Sequence, residues 1–260
     1  MDYRKFSERF GSRILDVLFP RACVFCGEVN KLQDGVCDNC RTKIPVIEPP
    51  FCDKCGLNKK DCICKTQFLF YDVLIAPFLY EGVVRDGIQL FKFHEYDQNA
   101  APYAHFMADA VRERFGKNPP FDLVVSVPLH PKDKRRRDYD HGALLAGGVA
   151  KELGLVYDDK VMVKLYRTQR QHNMSRFYRK GNLAGVFDVT DPQKVKGKRI
   201  LLVDDVVTTG QSLNECAKML YLHGAVSTVC LVLARTKPEK KEDKANDNTD
   251  GKEGETECLV

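Results

Sequence analysis

Asp204 and Asp205 stand side by side at the end of the apolar run Ile200-Leu201-Leu202-Val203, and Thr208, Thr209, Gly210, Gln211 and Ser212 follow almost at once. The apolar run predicts a buried strand, and ligands bind α/β sheets at the carboxyl ends of such strands. A glycine turn with hydroxyls, placed just before a helix, offers inward N–H groups and a positive helix end to a phosphate. Two carboxylates cannot help to hold that phosphate, so their partner must be neutral or cationic. Vicinal ribose hydroxyls with a 5′-phosphate in the loop satisfy both halves. No Gly-Lys-Ser/Thr Walker ending and no G-x-G-x-x-G is present, which excludes the two commonest alternative phosphate loops.

A second chemistry is carried by cysteine. Eight of the eleven cysteines fall between residues 23 and 64: Cys23-x2-Cys26, Cys37-x2-Cys40, Cys52-x2-Cys55 and Cys62-x-Cys64. A C-x2-C turn aims two thiolates at one point, and two such knuckles complete a tetrahedral four-cysteine zinc site. Gly27, Gly35 and Gly56 sit where the tight turns need them. Four disulfides in a secreted domain is the competing reading. It lacks a secretory signal, and Cys216 and Cys230 lie in apolar segments. Two structural zinc ions are therefore expected, the second with an irregular C-x-C pair. Residues 1–66 carry 12 Lys+Arg against 9 Asp+Glu, so eight thiolates and two Zn²⁺ leave this part nearly neutral, a poor general clamp for phosphate backbones.

These groups need elements to position them. Hydrophobic residues make up 43% of the 260 and charged ones 30%, the balance of a globular chain, and no run long enough for a membrane span occurs. The opening residues are charged throughout, so cytoplasmic placement is expected. Phe6, Phe10, Ile14, Val17 and Leu18 recur at helical spacing with Arg4, Lys5, Arg9 and Arg13 between them, predicting an amphipathic helix over 1–20. After the cysteine module at 21–66, residues 67–236 alternate strand and helix patterns. FLFYDVLIAPFLY predicts two short strands around a turn. Helices are predicted over 101–115, 141–153 and from about 211 to Gly224, and buried strands over 121–129, 199–205 and 225–235. Such alternation implies right-handed crossovers and a parallel sheet, an α/β domain. The tail 237–260 lacks apolar periodicity, and disorder is expected there. Residues 132–180 hold 13 basic against 6 acidic side chains, suited to a polyanionic ligand or nucleic acid, or equally to an ordinary solvated face.

The strand, acid pair and Thr-Thr-Gly turn resemble the phosphoribosyl pyrophosphate (PRPP) signature of type I phosphoribosyltransferases. Over residues 15–236 the chain is similar to the ComF competence family, which joins a cysteine-rich zinc module to such a domain. The likeness includes LFKFH (90–94), SVPLH (126–130), Thr168-x-x-Gln171, Arg179-x-x-Asn182 and the Ala184/Phe187 region. It implies a Rossmann-like parallel-sheet phosphoribosyltransferase domain behind a double zinc-ribbon-like module. It also implies PRPP with Mg²⁺. Asp204 and Asp205 would hold the ribose hydroxyls, and Val207, Thr208, Thr209, Gly210 and Ser212 the 5′-phosphate. Val127, Pro128 and Leu129, with Arg137 and Arg179, would face the pyrophosphate. The basic run Lys134–Arg137 resembles the segment that covers the leaving pyrophosphate. One departure is Asp138-Tyr139-Asp140-His141, where the family usually has Gly-Phe-Asn-Gln; acids there would weaken an anion site.

No catalytic base can be named. His94, His130, His141 and His172 qualify by chemistry alone, and a histidine packed at a strand end is the plainer account of each. The resemblance implies a role in DNA uptake, with a DNA-translocating helicase or single-stranded DNA as partner. Two alternatives stand beside it: a nucleotide-salvage phosphoribosyltransferase, and a PRPP-sensing adaptor without turnover.

Overall fold

The computed structural model describes residues 22–29, 31–64, 68–93, 99–130, 139–166 and 185–238. The helix expected over 1–20, the Lys134–Arg137 run, Asp138, Thr168, Gln171, Arg179, Asn182, Ala184, His94, His172 and the tail from 239 lie outside these residues.

The cysteine segment contains a short hairpin, β1 (Leu32–Gln33) and β2 (Val36–Cys37), and one helical turn, α1 (Asp38–Arg41). Then come β3 (Val73–Ile75), β4 (Phe78–Leu79), α2 (Gly82–Phe93), α3 (Ala100–Phe115), β5 (Leu123–Ser126) and α4 (His141–Leu153). A small antiparallel pair, β6 (Met162–Lys164) and β7 (Phe187–Val189), precedes β8 (Arg199–Val207), α5 (Gln211–Leu222) and β9 (Ser227–Arg235).

β9 and β8 form the centre of a parallel sheet with β5 outside β8. β3 and β4 lie one after the other along the far side of β9. The expected pair of short strands is present but is not a hairpin. Pro77, which has no N–H to give a ladder, separates two segments that both run parallel to β9.

The period-two pleat divides the core in two. Leu201, Val203, Val229, Leu231 and Leu233 point toward α2, α3 and α4. Ile200, Leu202, Cys230 and Val232 point toward α5 and the β6–β7 pair. The cysteine module wraps the β3/β4 edge and enters both halves. Cys23, Val24, Phe25, Val36, Cys37 and Cys40 belong to the first core, and Ile47, Cys55 and Leu57 to the second. Ile47 N donates to Pro77 O at 2.9 Å and Leu79 N to Pro45 O at 2.9 Å, so the module covers the outer edge of the sheet as an added antiparallel segment.

Helix α2 is a long element that the sequence pattern does not announce. Val84, Ile88 and Phe91 are buried at helical spacing, but Gly82 and Gly87 dilute the signal. Gly87 is required by packing: a Cβ there would lie 2.6 Å from Val24 O and 2.7 Å from both Phe25 Cα and Tyr103 Oη. Gly87→Ala is expected to cost about 1–3 kcal/mol by forcing the first cysteine knuckle off α2, measured as a lowered urea midpoint.

Candidate functional site

β8 outruns its neighbour. β5 ends at Ser126, opposite Val203, and Val127 N still donates to Val203 O at 2.9 Å. Beyond that point Asp204–Val207 keep β9 on one side only, and the Val127–Leu129 segment turns away from the sheet. The acids thus lie inside the second half of a strand that runs on to Val207, rather than at its tip.

Each carboxylate bonds the amide that follows it: Asp204 Oδ1 accepts from Asp205 N at 2.9 Å, and Asp205 Oδ1 from Val206 N at 2.5 Å. The pleat sends the two side chains to opposite faces. Asp205 meets Lys92 of α2, with Nζ 2.7 Å from Oδ2, both groups largely buried. Asp204 lies above the buried thiols of Cys216 and Cys230, both of which feel its charge. Burial and the neighbouring Asp205 carboxylate push Asp204 up to about 7, against the lowering effect of its bond to the Asp205 amide and of Lys92. The site therefore holds a carboxylate fixed by an ammonium beside an acid that titrates near neutrality.

The turn after β8 has the form expected of it. Thr208 and Thr209 are exposed, Gly210 takes the left-handed conformation (φ 73°), and α5 begins at Gln211. Gly210 is the residue before the helix, a place where a side chain would be strained and where N–H groups face outward. Gln211 N leans on Thr209 Oγ1 at 3.5 Å, Ser212 is half-buried, and Leu213 anchors the first turn in the core. Arg235 pairs in register with Val207 at the base of the turn. Its Nε is buried and has no hydrogen-bond partner among the described residues.

The segment that departs from the expected family pattern has a structural use. Asp140 is the N-cap of α4 and accepts from Ala143 N at 3.1 Å, an arrangement that Asn would also supply. His141 is buried with its ring 4.7 Å edge-on from Phe91, in keeping with a packed histidine. Gly142, at the start of the same helix, faces Asp204 without crowding it: a Cβ there would be 4.0 Å from Asp204 Oδ1. The structure thus brings together Asp204, Asp205, Lys92, the Thr208–Ser212 turn and the start of α4. Val127, Pro128 and Leu129 line the same end of the sheet, and Arg137 and Arg179 fall outside the described residues.

The cysteines form two groups, Cys23/Cys26/Cys37/Cys40 and Cys52/Cys55/Cys62/Cys64, and within each all Sγ atoms lie within 4.8 Å of one another. Cys26 and Cys37 Sγ are 3.9 Å apart, close to the roughly 3.8 Å edge of a tetrahedron with about 2.3 Å Zn–S bonds. Burial pushes Cys23 up, but the amides of Cys37, Cys26 and Phe25 together bring it down to about 7. Burial and the neighbouring thiols hold Cys40 and Cys55 far above the ordinary thiol value, and Cys64 is pushed up to about 11. Four thiolates this close need a divalent cation to coexist, and this donor set fits zinc.

Comparison with known proteins agrees with these two parts. Residues 14–67 match the double zinc ribbon domain and residues 140–257 the phosphoribosyl transferase domain. DNA utilization protein YhgH of Salmonella typhimurium is 34% identical over 217 residues, which cover 82% of this chain and 90% of that one. Competence protein F of Haemophilus influenzae is 28% identical over 228 residues, covering 84% and 98%. The chain belongs to the ComF/YhgH family. Among solved structures, a purine phosphoribosyltransferase from Pyrococcus horikoshii aligns over 52% of this chain and 80% of its own, at 18% identity and a TM-score of 0.30, too distant to bear on function. Within this ComF/YhgH protein the fold is the expected parallel α/β phosphoribosyltransferase domain, and the double zinc ribbon with its paired thiol clusters supports structural zinc. No helix among the described residues is long and apolar enough to cross a membrane.

Proposed function

We propose that this protein captures PRPP with Mg²⁺ at the carboxyl end of β8 and acts in the uptake or use of DNA. The observation that carries the ligand reading is the single strand–turn–helix from Arg199 to Leu222. It presents two carboxylates and then, about 10 Å further along the chain, the start of a turn that ends in Gly210 at the N-terminus of α5. Asp204 and Asp205 would accept from the ribose hydroxyls. Val207, Thr208, Thr209, Gly210 and Ser212 would hold the 5′-phosphate. Val127, Pro128 and Leu129, with Arg137 and Arg179, would meet the pyrophosphate, whose Mg²⁺ would keep several waters. Lys92 is the addition made by the geometry: it neutralises Asp205 and so lets an anion approach a pair of acids.

Titration calorimetry of PRPP with Mg²⁺ tests this reading, and absence of binding to the zinc-loaded protein sinks it. Turnover is a separate step, read as pyrophosphate release with a panel of nucleobases. Release with any of them makes the protein a phosphoribosyltransferase. Binding without release supports a sensing role. The DNA reading rests on family membership and on the basic stretch 132–180. Single-stranded DNA affinity is expected to fall steeply with salt and to fall again when Arg135, Arg136 and Arg137 are neutralised together. A salt-insensitive or absent interaction would leave a protein partner, such as a helicase, as the link to DNA.

A further inference from the structure

The first knuckle of each four-cysteine site offers one backbone carbonyl to a buried tyrosine outside the module. Tyr103 Oη of α3 donates to Val24 O, between Cys23 and Cys26, at 2.6 Å. Tyr71 Oη donates to Lys54 O, between Cys52 and Cys55, at 2.8 Å. The first contact lies deep in the core beneath α2. The second leads to the phosphate turn.

Tyr71 is buried, and burial drives its phenol well above the ordinary value, so it stays a neutral donor. Its hydroxyl lies 3.7 Å from where a Cβ on Gly210 would be, which places the ring tip directly behind the turn. The flanking backbone is held from both sides. Phe70 N donates to Asn214 Oδ1 of α5 at 2.8 Å, and Asn214 N donates to Gly210 O at 2.9 Å. On the module side, Leu74 N donates to Asp53 O at 2.8 Å, and Gly56 packs against Leu74 O so closely that a Cβ would lie 3.1 Å away. Asp72 fixes the same stretch to β9 through a reciprocal pair with Thr228 at 2.9 Å each. The sheet thus sets the backbone of residues 70–74, while the tip of Tyr71 is set by the position of Lys54.

That position depends on metal, because Lys54 lies inside a C-x2-C knuckle whose conformation the four thiolates define. The two sites differ in exposure. Cys23, Cys37 and Cys40 are buried, whereas Cys64 is exposed and Cys52 and Cys62 are half-buried, with their sulfurs 3.3 Å apart. Of the second site's ligands only Cys55 is buried, so this site is the one expected to empty first.

We propose that Tyr71 is a positioning residue for the Thr208–Gly210 turn and makes capture of the phosphoribosyl ligand depend on zinc in the Cys52/Cys55/Cys62/Cys64 site. This rests on the PRPP reading for the identity of the ligand, but the mechanical link from Lys54 through Tyr71 to Gly210 does not. It supplies a physical chain between two sites of the kind that coupling requires.

The test uses the full chain in three forms: wild type with both zinc ions, Tyr71→Phe, and Cys62→Ser/Cys64→Ser. Hydrogen exchange of residues 206–214 is measured without ligand, PRPP affinity by calorimetry with Mg²⁺, and zinc content by elemental analysis. Tyr71→Phe keeps the ring and both zinc ions, and is expected to weaken PRPP binding about 3- to 10-fold, the effect of one lost buried hydrogen bond. The double cysteine variant is expected to retain one zinc and to weaken binding by more. In both variants residues 206–214 should exchange faster while residues 100–115 and 141–153 keep their protection. Unchanged exchange of 206–214 in both variants overturns the coupling. Faster exchange there, in a protein whose wild type binds no PRPP, keeps the coupling and removes the ligand reading instead.

Discussion

Asp204→Asn is expected to abolish ligand capture and to make the protein more stable above neutral pH. The loss follows from the carboxylate's assigned partners: an amide can accept one ribose hydroxyl but brings no charge, and its N–H₂ competes for the same space. A fall in PRPP affinity of at least about a hundredfold is expected, the scale of a buried charge-assisted pair. The gain follows from linkage. Asp204 titrates at about 7 in the folded protein, against about 3.9 in an unfolded chain. Between roughly pH 4 and 7 the native state holds a proton that the unfolded state has released, so stability falls as pH rises through that window and stays reduced above it. Asparagine removes the titration. It should therefore flatten the decline and leave the variant about 1–3 kcal/mol more stable at pH 8, seen as a melting point several degrees higher. At pH 4 the variant and the wild type should melt alike. Unchanged affinity would sink the ribose assignment. Lower stability at pH 8 would show that the Asp204 charge is compensated by more than the Asp205 amide and Lys92.

The strand, the acids and the turn were legible because their signals are local: four apolar residues, a carboxylate pair, and a glycine where the backbone needs φ of +73°. The cysteine clusters were legible for the same reason, since knuckle spacing encodes thiolate convergence. Lys92 stands within LFKFH, and nothing local to that stretch names its partner. Its partner Asp205 is far away in sequence, and only the packing of α2 over the carboxyl end of β8 brings them together. Helix α2 itself was hidden by Gly87, a residue that is poor for a helix and necessary for the knuckle pressed against it. Asp140 carries a readable local signal, an acid immediately before an apolar helical run, and its use as the N-cap of α4 answers to that signal rather than to its charge. The β6–β7 pair had no such signal, being two three-residue strands with no turn between them. The same limit applied to the module as a whole: its metal chemistry is written in spacing, whereas its place on both faces of the sheet edge is a long-range fact.

That placement gives the two zinc sites unequal consequences. Cys23, Cys37 and Cys40 are almost fully buried in one continuous core with Tyr103, Met107, Leu145, Leu201 and Leu231. Structural zinc contributes on the order of 10–16 kcal/mol to the folding of a four-ligand site, and a whole domain is stable by only about 5–15 kcal/mol. Removing one ligand of the first site, as in Cys40→Ser, is therefore expected to unfold more than the ribbon. It leaves Cys23 and Cys37 buried in the core without their cation and frees Val24 from Tyr103. The expected result is loss of the cooperative thermal transition for the entire chain, or its fall by tens of degrees, with both zinc ions lost. Cys64→Ser, at the exposed end of the second site, should leave one zinc bound and a cooperative melt lowered by only a few degrees. Stepwise chelation of the wild type should show the same order. One zinc should leave with far-UV circular dichroism unchanged, and the second only as the secondary structure is lost. Equal tolerance of the two substitutions would mean that the first knuckle is an appendage after all, with the α2–α3 core closed by apolar contacts alone. The burial of its cysteines and the absence of room at Gly87 argue that the core cannot close without it.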